Sequence, residues 1–188
     1  MKNLLTATTR NQLREWLTLN AEIETEAWIY ATQKVETGKV LYLDIVEEAL
    51  CFGWIDSTKK KLEDGTVQRI SPRKKNSNWT ELNKERVRRL EKLGLMAVKG
   101  RECLPDMSED SFVLLPEVLE ALQADCQVWE NYQQLPCLYK RVRIDTIQFC
   151  LKLNQRDLFE KRLQKFIDNT RENQIYGAWN DDGLLLGY

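Results

Sequence analysis

Between Trp54 and Asn83 the chain spaces seven side chains suited to holding a ligand: Trp54, Asp56, Gln68, Arg69, Arg73, Trp79 and Asn83. Arginine offers a planar fork that grips phosphate or carboxylate at two points, and tryptophan offers a flat face for stacking. Arg69, Ser71 and Arg73 alternate, so a strand running through them sets all three on one face and turns Ile70 to the core. Trp54 and Asp56 have the same relation on the preceding run. A face displaying Trp, Asp and two Arg binds a planar or anionic group. The plainer alternative is that Asp56 pairs with Arg69 or Arg73 across a hairpin while Trp54 lies in the core.

Other chemistry is sparse. The chain has no histidine, which removes Ser-His-Asp and Cys-His nucleophilic sites and histidine-ligated metals. The five cysteines, Cys51, Cys103, Cys126, Cys137 and Cys150, form no CxxC pair, so neither a disulfide framework nor a zinc site is indicated. The 8 glycines are scattered and make no phosphate loop, and no cofactor motif is present. Acid–base work falls to Asp56 as general base, and Cys51 beside Phe52 reads as a buried thiol.

Formal charge is −1 overall but uneven along the chain: −4 over 1–58, +7 over 59–92 and −4 over 93–188. The basic block includes Lys59-Lys60-Lys61 and Arg73-Lys74-Lys75, with Trp79 and the amides Asn76 and Asn78 close by. That combination fits single-stranded nucleic acid. It equally fits an edge strand whose lysines prevent strand-to-strand aggregation.

These residues need a scaffold. Thr9 and Gln12 have capping-box spacing and open a first helix. Residues 26–32 are rich in strand formers. A second helix spans Tyr42 to Gly53, with Asp44 expected at its N-cap and Glu47 three residues on. Trp54–Leu62 and Thr66–Ser71 form a hairpin around Asp64-Gly65, and Pro72 stops the second arm. Thr80 or Asn78 caps a helix that runs to Leu93, with Leu82, Val87, Leu90 and Leu93 near one face, its cations on a solvated face, and Gly94 as its stop. Three helical segments follow, over 117–133, 138–153 and 155–172. The fold class is α+β: a small antiparallel sheet of about three strands with helices packed on it, followed by a helical C-terminal region. The division expected is a core over 1–100, a connector over 101–115 and helices over 116–188. No apolar run is long enough for a membrane span and no secretory signal is evident, so a cytoplasmic location is the default.

The blocks Glu48-Ala49-Leu50-Cys51-Phe52-Gly53-Trp54-Ile55-Asp56, Gln68-Arg69-Ile70-Ser71-Pro72-Arg73 and Asn78-Trp79-Thr80 with Asn83 resemble the YdeI/OmpD-associated family, also called bacteriocin-protection proteins. The resemblance covers residues 15–100 most strongly. It is looser at Phe159-Glu160-Lys161-Arg162-Leu163, where Asp157-Leu158-Phe159 replaces the family's usual paired arginines. It implies a small cytoplasmic bacterial protein with an α+β core, linked to tolerance of bacteriocins or envelope stress, without accepted catalytic residues. The reading from both sources is a non-enzymatic binding module in which Trp54 and Trp79 wall a pocket, Arg69 and Arg73 hold an anionic ligand, and Asp56 and Asn83 orient them, with Gln68 added to the ligand-binding set by the family motif. A protein partner is the other candidate. The alternatives are an enzyme on a small anionic substrate and a nucleic-acid binder using residues 59–79.

Overall fold

The computed structural model describes residues 3–75 and 77–188, so Asn76 lies outside the described residues. The chain divides into two compact units. The first comprises residues 1–78 and 86–105, the second residues 79–85 and 106–188.

The first unit opens with helix α1 (Arg10–Asn20), capped by the Thr9 hydroxyl, which accepts from the Gln12 amide. Strands β1 (Ala27–Thr32) and β2 (Val40–Leu41) precede helix α2 (Tyr42–Cys51), and strands β3 (Trp54–Leu62) and β4 (Gly65–Pro72) form the hairpin. The sheet order is β2-β1-β4-β3. β1 runs antiparallel to β4 and parallel to β2, so the sheet has four strands and is mixed rather than purely antiparallel. β2 is only two residues long. Leu13 and Leu17 of α1, Ile45 and Ala49 of α2, and Ile29, Trp54 and Ile70 of the sheet make the core.

One expected cap is corrected. Asp44 sits inside the first turn of α2, and Leu41 occupies the N-cap without a side-chain bond. Asp44 instead joins Glu47 and Glu48 in binding Arg10, at 3.1, 2.7 and 2.7 Å. Arg14 reaches Glu48 and Arg89 reaches Glu47. Both glutamates are 1 % exposed, so this is a buried network in which cations and carboxylates answer one another.

Helix α3 (Glu81–Lys92) begins in the second unit and ends in the first. Thr80 caps it through a hydroxyl that accepts from the Asn83 amide. Gly94, at φ +69°, ends it as expected. Its polar side is not a solvated face: Glu81, Lys84 and Glu85 are all buried, whereas Leu93, expected on the apolar face, is half exposed. Helix α4 (Val98–Glu102) completes the first unit. It packs on the end of α2 so closely that a side chain at Gly100 would overlap the Cys51 carbonyl oxygen.

The second unit holds α5 (Pro116–Gln123), α6 (Cys126–Gln134), α7 (Cys137–Lys152) and α8 (Arg156–Arg171). The expected helix over 117–133 is two helices. Asp125 turns the chain by accepting from the Gln127 and Val128 amides, which starts α6 afresh. Val118, Leu122, Tyr139, Ile147, Phe159 and Phe166 fill the core. The α+β class with a helical C-terminal region is therefore the observed one. Among the described residues, no helix is long and apolar enough to cross a membrane.

Candidate functional site

The residues expected to form one pocket are divided between the two units. Trp54, Asp56, Gln68, Arg69 and Arg73 belong to the first, Trp79 and Asn83 to the second. Trp54 is 1 % exposed, meets Trp16 edge-on, and donates its indole N–H to the Ala21 carbonyl. It is a core residue. The Asp56 carboxylate accepts from the Tyr42 hydroxyl at 2.7 Å. A bulge between Asp56 and Lys59 inserts one residue in β3, and Lys59 lies over the Tyr42 ring at 4.3 Å. Burial, then the bond to Asp56, raises the Tyr42 phenol above its ordinary range.

Arg69 faces Trp28 across β1 and grips Glu26 at 2.7 Å. Asp56 and Arg69, weighed as a cross-hairpin pair in the plainer alternative, take Tyr42 and Glu26 as hydrogen-bond partners. Gln68 is fully buried. Its amide N–H groups reach the Thr58 and Arg69 carbonyls. Arg73 is 8 % exposed, and its guanidinium donates to the Asn78 carbonyl at 2.9 Å and to the Ser77 hydroxyl, clamping the loop it starts. Burial lowers its pKa to about 10, against the opposing pull of Asp56. Asn83 lies half-buried in the first turn of α3.

Two cavities lined by described residues lie within the second unit. The first, of about 260 Å³, is lined by Arg143, Thr146 and Ile147 of α7, Arg162 and Lys165 of α8, and Tyr176. Arg143 donates to the Ala178 carbonyl, and its guanidinium carbon lies 5.4 Å from the centre of the Tyr176 ring. Its Nε is buried without a hydrogen-bond partner among the described residues. Lys165 lies over the same ring at 4.9 Å. Arg162 donates to the Thr146 carbonyl at 2.9 Å and to the Cys150 sulfur at 3.3 Å. Among the described residues none of the three cations forms an ion pair with a carboxylate. Burial raises the Tyr176 phenol, so that ring is neutral and adds no negative charge. Cations gathered on one cavity in this way can hold an anion. Gly177 makes it possible. It adopts φ +70°, and a side chain there would come within 2.8 Å of an Arg143 terminal nitrogen.

The second cavity, of about 370 Å³, is lined by Trp79, Glu81 and Lys84, by 111–115 of the connector, and by Asp145, Gln148, Phe149 and Lys152 of α7. Asp145 accepts from the Glu81 amide at 3.1 Å, at the start of α3. Burial pushes its carboxyl above the ordinary aspartate range. Lys84 binds Glu81 and the Ser111 hydroxyl, each at 3.0 Å.

Of the seven expected residues, only Trp79 lines either of these cavities. The others in them escaped sequence reading because they come from segments far apart in the chain. The one local pattern was helical spacing. Asp145, Gln148, Phe149 and Lys152 fall at i, i+3, i+4 and i+7 of α7, and Arg162 and Lys165 fall at i and i+3 of α8.

Residues 5–103 match the family model of a domain of unknown function (DUF8412). Residues 111–173 match that of the family described as bacteriocin-protection, YdeI or OmpD-associated. That second match holds Arg143, Arg162 and Lys165, and also Asp145 and Phe149. The family resemblance is therefore real, but the matched residues are the C-terminal helices rather than 15–100. No curated protein and no solved structure matches the chain. The chain belongs to the family of the DUF8412 domain, and its residues 111–173 are similar to the bacteriocin-protection, YdeI or OmpD-associated family.

Proposed function

We propose that the protein is a non-enzymatic binding module for a small anionic ligand, acting in the cytoplasm in tolerance of bacteriocins or envelope stress. One observation carries the reading: Arg143, Arg162 and Lys165 converge on one cavity, and none has a carboxylate partner among the described residues. Cations that serve only structure are normally paired, as Arg10 is with three carboxylates. The hairpin arginines are engaged by groups of the protein itself, since Arg69 holds Glu26 and Arg73 bonds the Asn78 carbonyl. The ligand seat accordingly moves from the expected Arg69–Arg73 surface to α7 and α8. The enzyme alternative loses support because Asp56, its general base, is engaged by Tyr42. The family description supplies the link to bacteriocin protection. Free cysteines, including the exposed Cys126 and Cys137, suit a reducing compartment.

The test is a thermal-shift screen of wild type and Arg162→Ala against inorganic phosphate, pyrophosphate, sugar phosphates and short RNA, at low and moderate salt. A ligand that binds the native state raises the melting temperature by mass action. A small anion stabilising the wild type but not the variant supports the reading. Stabilisation by RNA alone, erased by salt and insensitive to Arg162→Ala, would replace it with nucleic-acid binding through Lys59-Lys60-Lys61.

A further inference from the structure

The cavity beside Trp79 has a different chemistry from the anion seat, and nothing in the proposed function uses it. Its walls are aromatic and apolar: Trp79, Phe112, Leu115, Phe149 and Leu151. Its charged groups are not all paired. Glu81 is neutralised, by Lys84 at 3.0 Å and by Arg141 at 3.4 Å. Asp145 is not. Its Oδ2 accepts the Glu81 amide, whereas Oδ1 has no protein partner among the described residues and no cation stands within ion-pair distance. Lys84, 8 % exposed, uses two of its three N–H groups on Glu81 and Ser111 and keeps one. The cavity therefore offers an acceptor and a donor between aromatic surfaces.

Charge narrows the occupant. A simple organic cation would satisfy Asp145 but meet Lys84 and Lys152 in the same wall. A simple anion would satisfy the lysines but meet Asp145 and Glu81. A neutral, planar group with N–H donors beside a carbonyl satisfies both sides and stacks on the rings. A volume of about 370 Å³ admits a bicyclic ring.

We propose that this cavity binds a planar nitrogen heterocycle of the lactam type, such as the guanine ring, with Asp145 accepting from its N–H edge and Lys84 donating to its carbonyl. Partial burial raises the Asp145 pKa, and donors from a bound ring would replace the water it has lost. The site is separate from the anion seat. On α7, Asp145, Gln148, Phe149 and Lys152 share one face, and Arg143, Thr146 and Ile147 share another.

The test titrates the full chain with guanosine, which carries no phosphate, and with adenosine, whose edge reverses donor and acceptor. Binding is followed by amide shifts in NMR spectra. Guanosine is expected to bind in the range of about 0.1–1 mM and to move the amides of 111–115 and 145–152. Adenosine is expected to bind at least about tenfold more weakly, because each mismatched polar group is left unpaired. Asp145→Asn keeps an acceptor oxygen for the α3 amide and is expected to weaken guanosine at least about tenfold at an unchanged melting temperature. Phe149→Ala is expected to weaken both nucleosides. Arg143→Ala is expected to change neither, which separates this site from the anion seat. Three results would each overturn the proposal: no guanosine shifts at its solubility limit, equal affinity for adenosine, or an Asp145→Asn variant that binds guanosine like the wild type.

Discussion

Two clusters of arginine in this molecule look alike in sequence and differ in surroundings. In the first unit, Arg10, Arg14 and Arg89 meet Asp44, Glu47 and Glu48, and nearly every charge has an opposite within 3.2 Å. Burial disfavours the Arg10 charge, yet bonds to Glu47 and Glu48 raise its pKa overall. In the second unit, Arg143, Arg162 and Lys165 meet carbonyls, a thiol and a tyrosine ring. The first cluster is closed, and its charges stabilise one another. In the second, no carboxylate pairs with the three cations among the described residues. The presence of arginine therefore says little about function, while the presence or absence of its counter-charge says a good deal.

The comparison breaks most visibly if a closed cluster tolerates change. Glu47→Ala leaves Arg10 and Arg89 facing an emptied site and should cost about 3 kcal/mol of unfolding free energy, read by urea denaturation. Arg162→Ala should do the reverse. It removes an exposed cation and should shift stability by no more than about 0.5 kcal/mol while abolishing most anion affinity, read by calorimetric titration. Gly177→Ala sharpens the point by leaving every charge in place. Strain at φ +70° and displacement of Arg143 should cost about 1 kcal/mol and weaken anion binding several-fold.

A paired cation inside the second unit gives a smaller effect. Asp125 caps α6 and binds Arg171, and its carboxyl is held below the ordinary range, first by the Val128 amide and then by Arg171. A depressed folded-state pKa contributes stability that is present above the unfolded value and lost as pH falls through the folded value. Asp125→Ala should therefore melt earlier than wild type at neutral pH, and the gap should close as pH falls below about 4. Arg69→Ala should have the smallest effect, with no measurable change in ligand binding and little in stability, because the Glu26 pair is only partly buried and still reached by water.

Much of the scaffold was legible in the sequence because its determinants are local. The Thr9 cap, the start at Thr80 and the stop at Gly94 each rest on two to four neighbouring residues, and so does the hairpin, although its turn is Glu63-Asp64, and Gly65, expected in the turn, already lies in β4 and pairs with Leu62. What was missed depended on distant partners. Asp44 reads as a cap until Arg10 is seen beside it. β2 is two residues long and exists through its parallel pairing with Ala31 and Thr32. The basic side of α3 reads as solvated until Arg141 is found against Glu81 and Glu85. The surroundings of the candidate site residues were hidden for the same reason. The sequence shows Trp54 and Arg69 but not that the core takes one and Glu26 the other. Arg143 and Arg162 are 19 residues apart on different helices, and the cavity joining them is a property of how α7 and α8 pack.

The most direct measurement is calorimetric titration of inorganic pyrophosphate into wild type, Arg162→Ala and Arg69→Ala at moderate salt. Expected is saturable binding by the wild type and by Arg69→Ala, with loss of at least about tenfold in affinity in Arg162→Ala. Binding that survives Arg162→Ala and disappears in Arg69→Ala would contradict the account and return the ligand seat to the hairpin.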